Sequence, residues 1–172
     1  MSRKQDTTIQ FSGLKSGRYT YDFELGNDFF AEFENDEIAA AEVRYDVILD
    51  KKEHTLVINF SFSGKVSTTC DRCLGLITLP VEGTETLCVK FSPDGEQCDS
   101  DDTVILPESA TEIDLAQWFY EYVAVRLPMQ HSHPEGACDP AMTAILEQSA
   151  PSATDHRWDA LLDLKNQENK NN

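Results

Sequence analysis

Cys70 and Cys73 stand in the run "STTCDRCLG", and "HSHPEGAC", far downstream, carries His131, His133 and Cys138. A pair of cysteines at C-x-x-C spacing is either a redox pair or half of a metal site. A redox pair sits where a strand meets a helix, because the helix N-terminus lowers a thiol pKa. Here the residues before ("SGKVSTT") and after ("LGLITLPV") both read as strands, so the motif belongs at a hairpin tip. A C-x-x-C in such a tight turn lets both thiolates face one ion, the usual half-site for structural zinc. The other half is expected from the downstream loop. Cys70, Cys73, Cys138 and one histidine make a closed Cys3His set. His133 is the preferred ligand, because its spacing to Cys138 is that of an ordinary ligand pair, with His131 in reserve. Four protein ligands leave no position for a reacting water, so such a site is structural. The plainer alternative is two half-buried thiols in a turn, with solvated histidines.

Other chemistry is thin. Cys88 and Cys98 read as isolated thiols, and His54 and His156 have no partner nearby in sequence. G-x-S-x-G, a phosphate-binding glycine loop and H-E-x-x-H are all lacking. A Cys138–His131 nucleophile pair is arithmetically possible.

Across the whole chain, 31 acidic against 14 basic residues give a formal net charge of −17. There is no basic stripe to neutralise phosphates, and an acidic surface repels nucleic acid while attracting basic proteins. No apolar run approaches the roughly 20 residues that span a bilayer. The start, "MSRKQDTTIQF", has no apolar stretch of the signal-peptide kind. A cytoplasmic protein without membrane contact is expected. An odd number of irregularly spaced cysteines argues against a disulfide framework.

The elements that must position the cysteines are strands. "RYTYDFEL", "EVRYDVIL" and "TLVINFSF" alternate apolar and polar residues, the pattern of half-buried strands, and "DKKE" turns the second into the third. "GNDFFAEFEND" reads as a short helix or loop with aromatic anchors. After the C-x-x-C, "TLPVEGTETLCVKF" is strand again, with Gly83 expected at a bulge or bend. "SPDGEQCDSDD" is a loop. Then "TEIDLAQWFYEYVAVRLP" predicts a helix capped by Asp114, with Gln117 as capping-box partner and an end near Leu127. "DPAMTAILEQ" and "DHRWDALLDLK" predict two more. Strands first and helices after indicate an α+β fold: an antiparallel sheet or open barrel from the N-terminal half, with C-terminal helices packed on it. A single domain is expected over residues 1–165, strand-rich over about 7–91 and helical over about 113–165, followed by a disordered tail, 166–172.

Taken in order, these motifs resemble the YceD family, named for accumulation of large-subunit ribosomal RNA. The likeness rests on Cys70, Arg72, Cys73 and Leu74; on Ile113, Asp114 and Leu115; on Leu127 and Pro128; on His133 and Cys138; and on Trp158, Leu161, Leu164 and Lys165. It covers roughly the last two-thirds of the chain; before that only the strand pattern agrees. The second histidine, His131, departs from the family pattern. The resemblance implies a small acidic cytoplasmic protein needed for normal levels or processing of large-subunit rRNA, with no established enzymatic activity. Its gene commonly neighbours that of a small basic large-subunit ribosomal protein. Combined with the charge, this favours a non-enzymatic adaptor or chaperone for a basic ribosomal protein on the large-subunit precursor. An rRNA-processing enzyme and a zinc-dependent redox sensor are the alternatives. Arg72, between the two cysteines, and Trp158 are candidate partner contacts.

Overall fold

The structure is a computed structural model that describes residues 6–91 and 102–149. Strand β1 (Thr8–Gln10) leads into β2 (Gly17–Leu25), and a short helix α1 (Asn27–Ala31) follows. Three long strands come next: β3 (Ala40–Lys51), β4 (Thr55–Thr69) and β5 (Leu76–Lys90). Short β6 (Asp102–Ile105) and β7 (Glu112–Asp114) precede helices α2 (Ala116–Ala124) and α3 (Pro140–Ser149). Five strands form one sheet in the order β2-β3-β4-β5-β6, and β1 pairs with β7 in a separate two-stranded ribbon. All pairings are antiparallel except β6 on β5. The fold is therefore α+β with an open, mainly antiparallel sheet.

Alternation decides which face is buried. Val43, Tyr45, Val47 and Leu49 of β3 lie inward beside Leu56, Ile58, Phe60 and Phe62 of β4. Between them on the outer face stand Glu42, Arg44 and Asp46, all exposed. Phe119 of α2 closes the inner face. Its ring lies 4.5 Å from that of Tyr45 and 5.7 Å from that of Phe60, and the Tyr45 hydroxyl donates to the Phe119 carbonyl at 2.5 Å. Phe29 and Phe30 are buried, so the short helix α1 carries aromatic anchors as expected.

Two local expectations change. The β4–β5 pairing runs unbroken from Thr55↔Lys90 to Thr69↔Leu76, so Gly83 makes no bulge. A Cβ there would lie 2.7 Å from the Phe62 ring and 3.0 Å from Arg126 Nε, so the missing side chain makes room for both. Asp114 is not the N-cap of α2 but the last residue of β7, held opposite Thr8. Its carboxylate accepts from the Thr7 hydroxyl at 2.5 Å and from the Ala116 amide at 3.0 Å. Strand pairing thus holds Asp114 back, and Leu115 becomes the N-cap. Gln117 donates down the helix to Glu121 instead of back to a cap. The α-helix stops at Ala124. Tighter turns carry the chain to Leu127, where the Leu127 amide donates to the Ala124 carbonyl, just ahead of Pro128. The predicted closing helix with Trp158, the tail and the acidic "SPDGEQCDSDD" loop fall mainly or wholly outside the described residues.

Candidate metal centre

Each half of the site is made by ordinary chain chemistry. Fifteen residues of β4 and fifteen of β5 form one long hairpin whose tip is Cys70–Gly75. The tip is closed by two backbone bonds, Cys70 amide to Gly75 carbonyl at 2.8 Å and Leu74 amide to Cys70 carbonyl at 2.9 Å. That turn aims both sulfurs to one side and buries both cysteines. The other half is the stretch after α2. It is sewn to the tip by a reciprocal pair: the Asp71 amide donates to the His131 carbonyl at 2.7 Å, and the His131 amide to the Asp71 carboxylate at 2.6 Å. Asp139 then starts α3, accepting from the Ala141 amide at 2.7 Å, which sets Cys138 at the mouth of the cluster.

The result brings together Cys70, Cys73, His133 and Cys138. Their ligand atoms all lie within 4.8 Å of one another. Cys73 Sγ is 3.4 Å from His133 Nδ1, and Cys138 Sγ is 4.0 Å from both Cys70 Sγ and His133 Nδ1. Four donors on a tetrahedron with metal–sulfur bonds of about 2.3 Å stand roughly 3.5–4 Å apart. The far side of the imidazole supports the same reading. His133 Nε2 lies 3.2 Å from the Leu76 carbonyl, which can only accept, so Nε2 donates there and the Nδ1 lone pair is left to face an ion that the sulfurs would share. This donor set fits a thiophilic divalent metal ion.

The electrostatics lean towards thiolates at the tip. Burial pushes the Cys70 thiol up, but the amides of Cys73, His133 and Arg72 and the Cys73 side chain outweigh it. The value comes down from 9.0 to about 6. The Asp139 and Gly75 amides lower Cys73 against its burial. Cys138 is raised, by burial first and then by its two sulfur neighbours. His133 is raised, first through its hydrogen bond to Cys70. A raised imidazole beside lowered thiols is the trend expected where these groups share one small site.

His131 takes no place in the cluster. Its backbone does the sewing, and its Nε2 is buried without a hydrogen-bond partner. Arg72 is exposed at the tip, as expected, and lines a cleft of about 580 Å³ with Asp71, His133 and Leu146. Trp158 lies outside the described residues. Cys88, expected as an isolated thiol, is buried and disulfide-bonded, a pairing its irregular spacing did not signal. Sequence reasoning missed the Leu76 carbonyl, the Asp71 clasp and Met142, which packs on Cys70, Cys73 and Ile77. Only Met142 had a signal, as the first large apolar side chain of a helix starting beside Cys138.

Residues 58–165 match the family model described as "Large ribosomal RNA subunit accumulation protein YceD", which is more than half of the chain. The chain belongs to the YceD family. That description ties YceD proteins to the large ribosomal subunit. The matched span takes in β5, α2, all four residues of the sulfur–imidazole cluster and the sequence run with Trp158, Leu161 and Lys165. Neither a curated protein nor a solved structure matches the chain. Among the described residues, no helix of this YceD chain is long and apolar enough to cross a membrane.

Proposed function

We propose that this protein is a cytoplasmic, non-enzymatic factor in large-subunit biogenesis. It supports accumulation of large-subunit rRNA by holding a basic ribosomal component during assembly. The observation that carries this reading is the family match joined to a charge of −17. A surface so acidic disfavours unassisted contact with rRNA and favours a lysine- and arginine-rich protein. Electrostatic steering raises the rate of such an encounter, and the gain falls steeply as salt is added.

Within this reading Cys70, Cys73, His133 and Cys138 hold a structural zinc ion. Bound there, zinc supplies a cross-link between the hairpin tip and the segment before α3. The full set of four protein donors leaves no coordination position for a reacting water. Arg72, exposed beside the two cysteines, is placed for partner contact.

Four experiments test the proposal. Elemental analysis of purified protein should return one zinc per chain, and Cys138→Ser should lower that ratio. Titration of individually purified basic large-subunit proteins should show binding that weakens sharply with salt. Loss of the gene should lower large-subunit rRNA. Purified protein that cleaves precursor rRNA alone, at a rate abolished by one substitution, overturns the adaptor reading.

A further inference from the structure

Strand β2 forms one edge of the five-stranded sheet, and among the described residues no strand pairs with its other side. An open edge presents a row of amides and carbonyls to any other strand, and proteins commonly blunt it with lysine, proline, a bulge or shortness. β2 has none of these. Its nine residues include no lysine and no proline, and its pairing runs unbroken from Gly17↔Lys51 to Leu25↔Val43.

The turn between β3 and β4 fixes which backbone groups of β2 point outward. The Lys52 amide donates to the Thr55 carbonyl at 2.9 Å, continuing the β3–β4 register, so even-numbered residues of β3 bond to β4 and odd-numbered ones to β2. Odd residues of β3 stand opposite odd residues of β2. The amides and carbonyls of Arg18, Thr20, Asp22 and Glu24 therefore face away from the sheet. The side chains of these four are exposed on its outer face. Tyr19, Tyr21 and Phe23 lie on the inner face, packed on the core yet only half-buried.

We propose that β2 pairs antiparallel with β2 of a second copy of this chain, about a two-fold axis at Tyr21, so that two sheets join into one. Centring on Tyr21 engages all nine residues of the strand. A two-fold interface must be self-complementary, and this strand is. On the outer face Arg18 meets the partner's Glu24, Glu24 meets the partner's Arg18, and Thr20 meets the partner's Asp22. These are the residues whose backbone faces outward, so each pair exchanges two hydrogen bonds. On the inner face Tyr19 meets the partner's Phe23, and Tyr21 meets the partner's Tyr21. Those are non-hydrogen-bonded positions, where side chains come closest and aromatic pairs stabilise most. Within one chain Arg18 is 70% exposed and 3.5 Å from Asp50, while Glu24 is 80% exposed and 3.7 Å from Arg44. Ion pairs so open are weak and leave both side chains able to meet a second copy. The pairing needs no ribosomal component and stands or falls apart from the adaptor reading.

The test is analytical ultracentrifugation of the full chain over a range of concentrations. Salt at about 0.15 M screens the long-range repulsion between two chains of charge −17. The parent should dimerise reversibly. Arg18→Glu sets two acids against each other at both ends of the interface, and Glu24→Arg sets two bases. Each variant alone should therefore dimerise at least about tenfold more weakly. Mixed in equal amounts, the two variants are complementary at both ends, and a heterodimer should form with near-parental affinity. The chain carrying both substitutions should dimerise as the parent does. Mixing cannot restore variants that have merely misfolded, so the rescue reads the interface itself. A parent that stays monomeric at every soluble concentration overturns the proposal and leaves the edge to a strand of another protein. A dimer that the single substitutions leave untouched overturns it too, since its interface lies elsewhere. A dimer weakened by both substitutions but not restored by mixing overturns the pairing about Tyr21.

Discussion

Removing the metal should unfold one corner of the protein and leave the sheet intact. The reason lies in how burial is divided. Phe119, Tyr45, Phe60 and their neighbours form one large core, while Cys70, Cys73 and Ile77 form a separate small cluster packed by Leu79, Cys138 and Met142. Helix α3 has ten residues and none of them is buried. An isolated helix shorter than about 12 residues is marginal in water. Ordering each residue costs about 1–2 kcal/mol in backbone entropy, and one half-buried methionine cannot offset ten such terms. Without the ion, amides over residues 140–149 should exchange within about tenfold of the unstructured rate. Central amides of β3 and β4 draw instead on the stability of the whole domain, about 5–15 kcal/mol in typical cases, and should stay protected. Hydrogen exchange read by mass spectrometry, before and after a strong chelator, measures both. Two results would refute the reasoning: α3 as protected after chelation as before, or the sheet losing protection together with it.

Phe119→Ala removes a fully buried ring and should cost about 3–5 kcal/mol, read by denaturant unfolding at constant m-value. Trp118 is only half-buried, and Trp118→Ala should cost clearly less; equal costs would mean the ring contacts are misjudged. Gly64→Ala would place a Cβ 2.2 Å from the Glu42 carbonyl oxygen, a backbone atom that cannot swing away. It should destabilise by about 3 kcal/mol or more, beyond ordinary overpacking, and a neutral effect in the same assay would contradict the strand register. In metal-free protein, thiolate absorbance should show a step near pH 6 that Cys70→Ser removes. Because the folded value is depressed below 9.0, that ionisation adds stability above pH 9, and the gain fades as pH falls towards 6. Titration of every thiol at or above pH 8 would refute it.

Periodicity made the long strands legible. A period of two in "EVRYDVIL" and "TLVINFSF" has one solution when one face must be buried, and the structure has that face inward. The hairpin tip followed, because a C-x-x-C with strand on both sides has nowhere else to go. The choice of His133 followed from spacing, although what secures it, the Leu76 carbonyl behind the ring, has no signature in the chain. Asp114 shows why caps are harder. Its type and position suited an N-cap, but pairing with Thr8, over a hundred residues earlier, took the backbone first. A three-residue strand such as β1 has too little pattern to be seen, so its effect on Asp114 could not be read either. Gly83 was read as a bend because glycine weakens strands. Its actual cause, a ring and a guanidinium crowding the same spot, is visible only in three dimensions.

The two halves of the sulfur cluster lie far apart in chain order, His133 coming 60 positions after Cys73. Synthesis at roughly 5–20 residues per second makes that a delay of about 3–12 s. The paired thiols at the hairpin tip are therefore made and released ahead of the residues that complete the cluster, by that interval. A nascent chain therefore passes through an interval in which two sulfurs face the cell without their imidazole. Any ion caught then would be held by half a cage, and any oxidant present would meet both thiols at once. The order of residues along the chain thus sets a period of chemical risk for each new molecule, and its length is governed by how fast the ribosome moves.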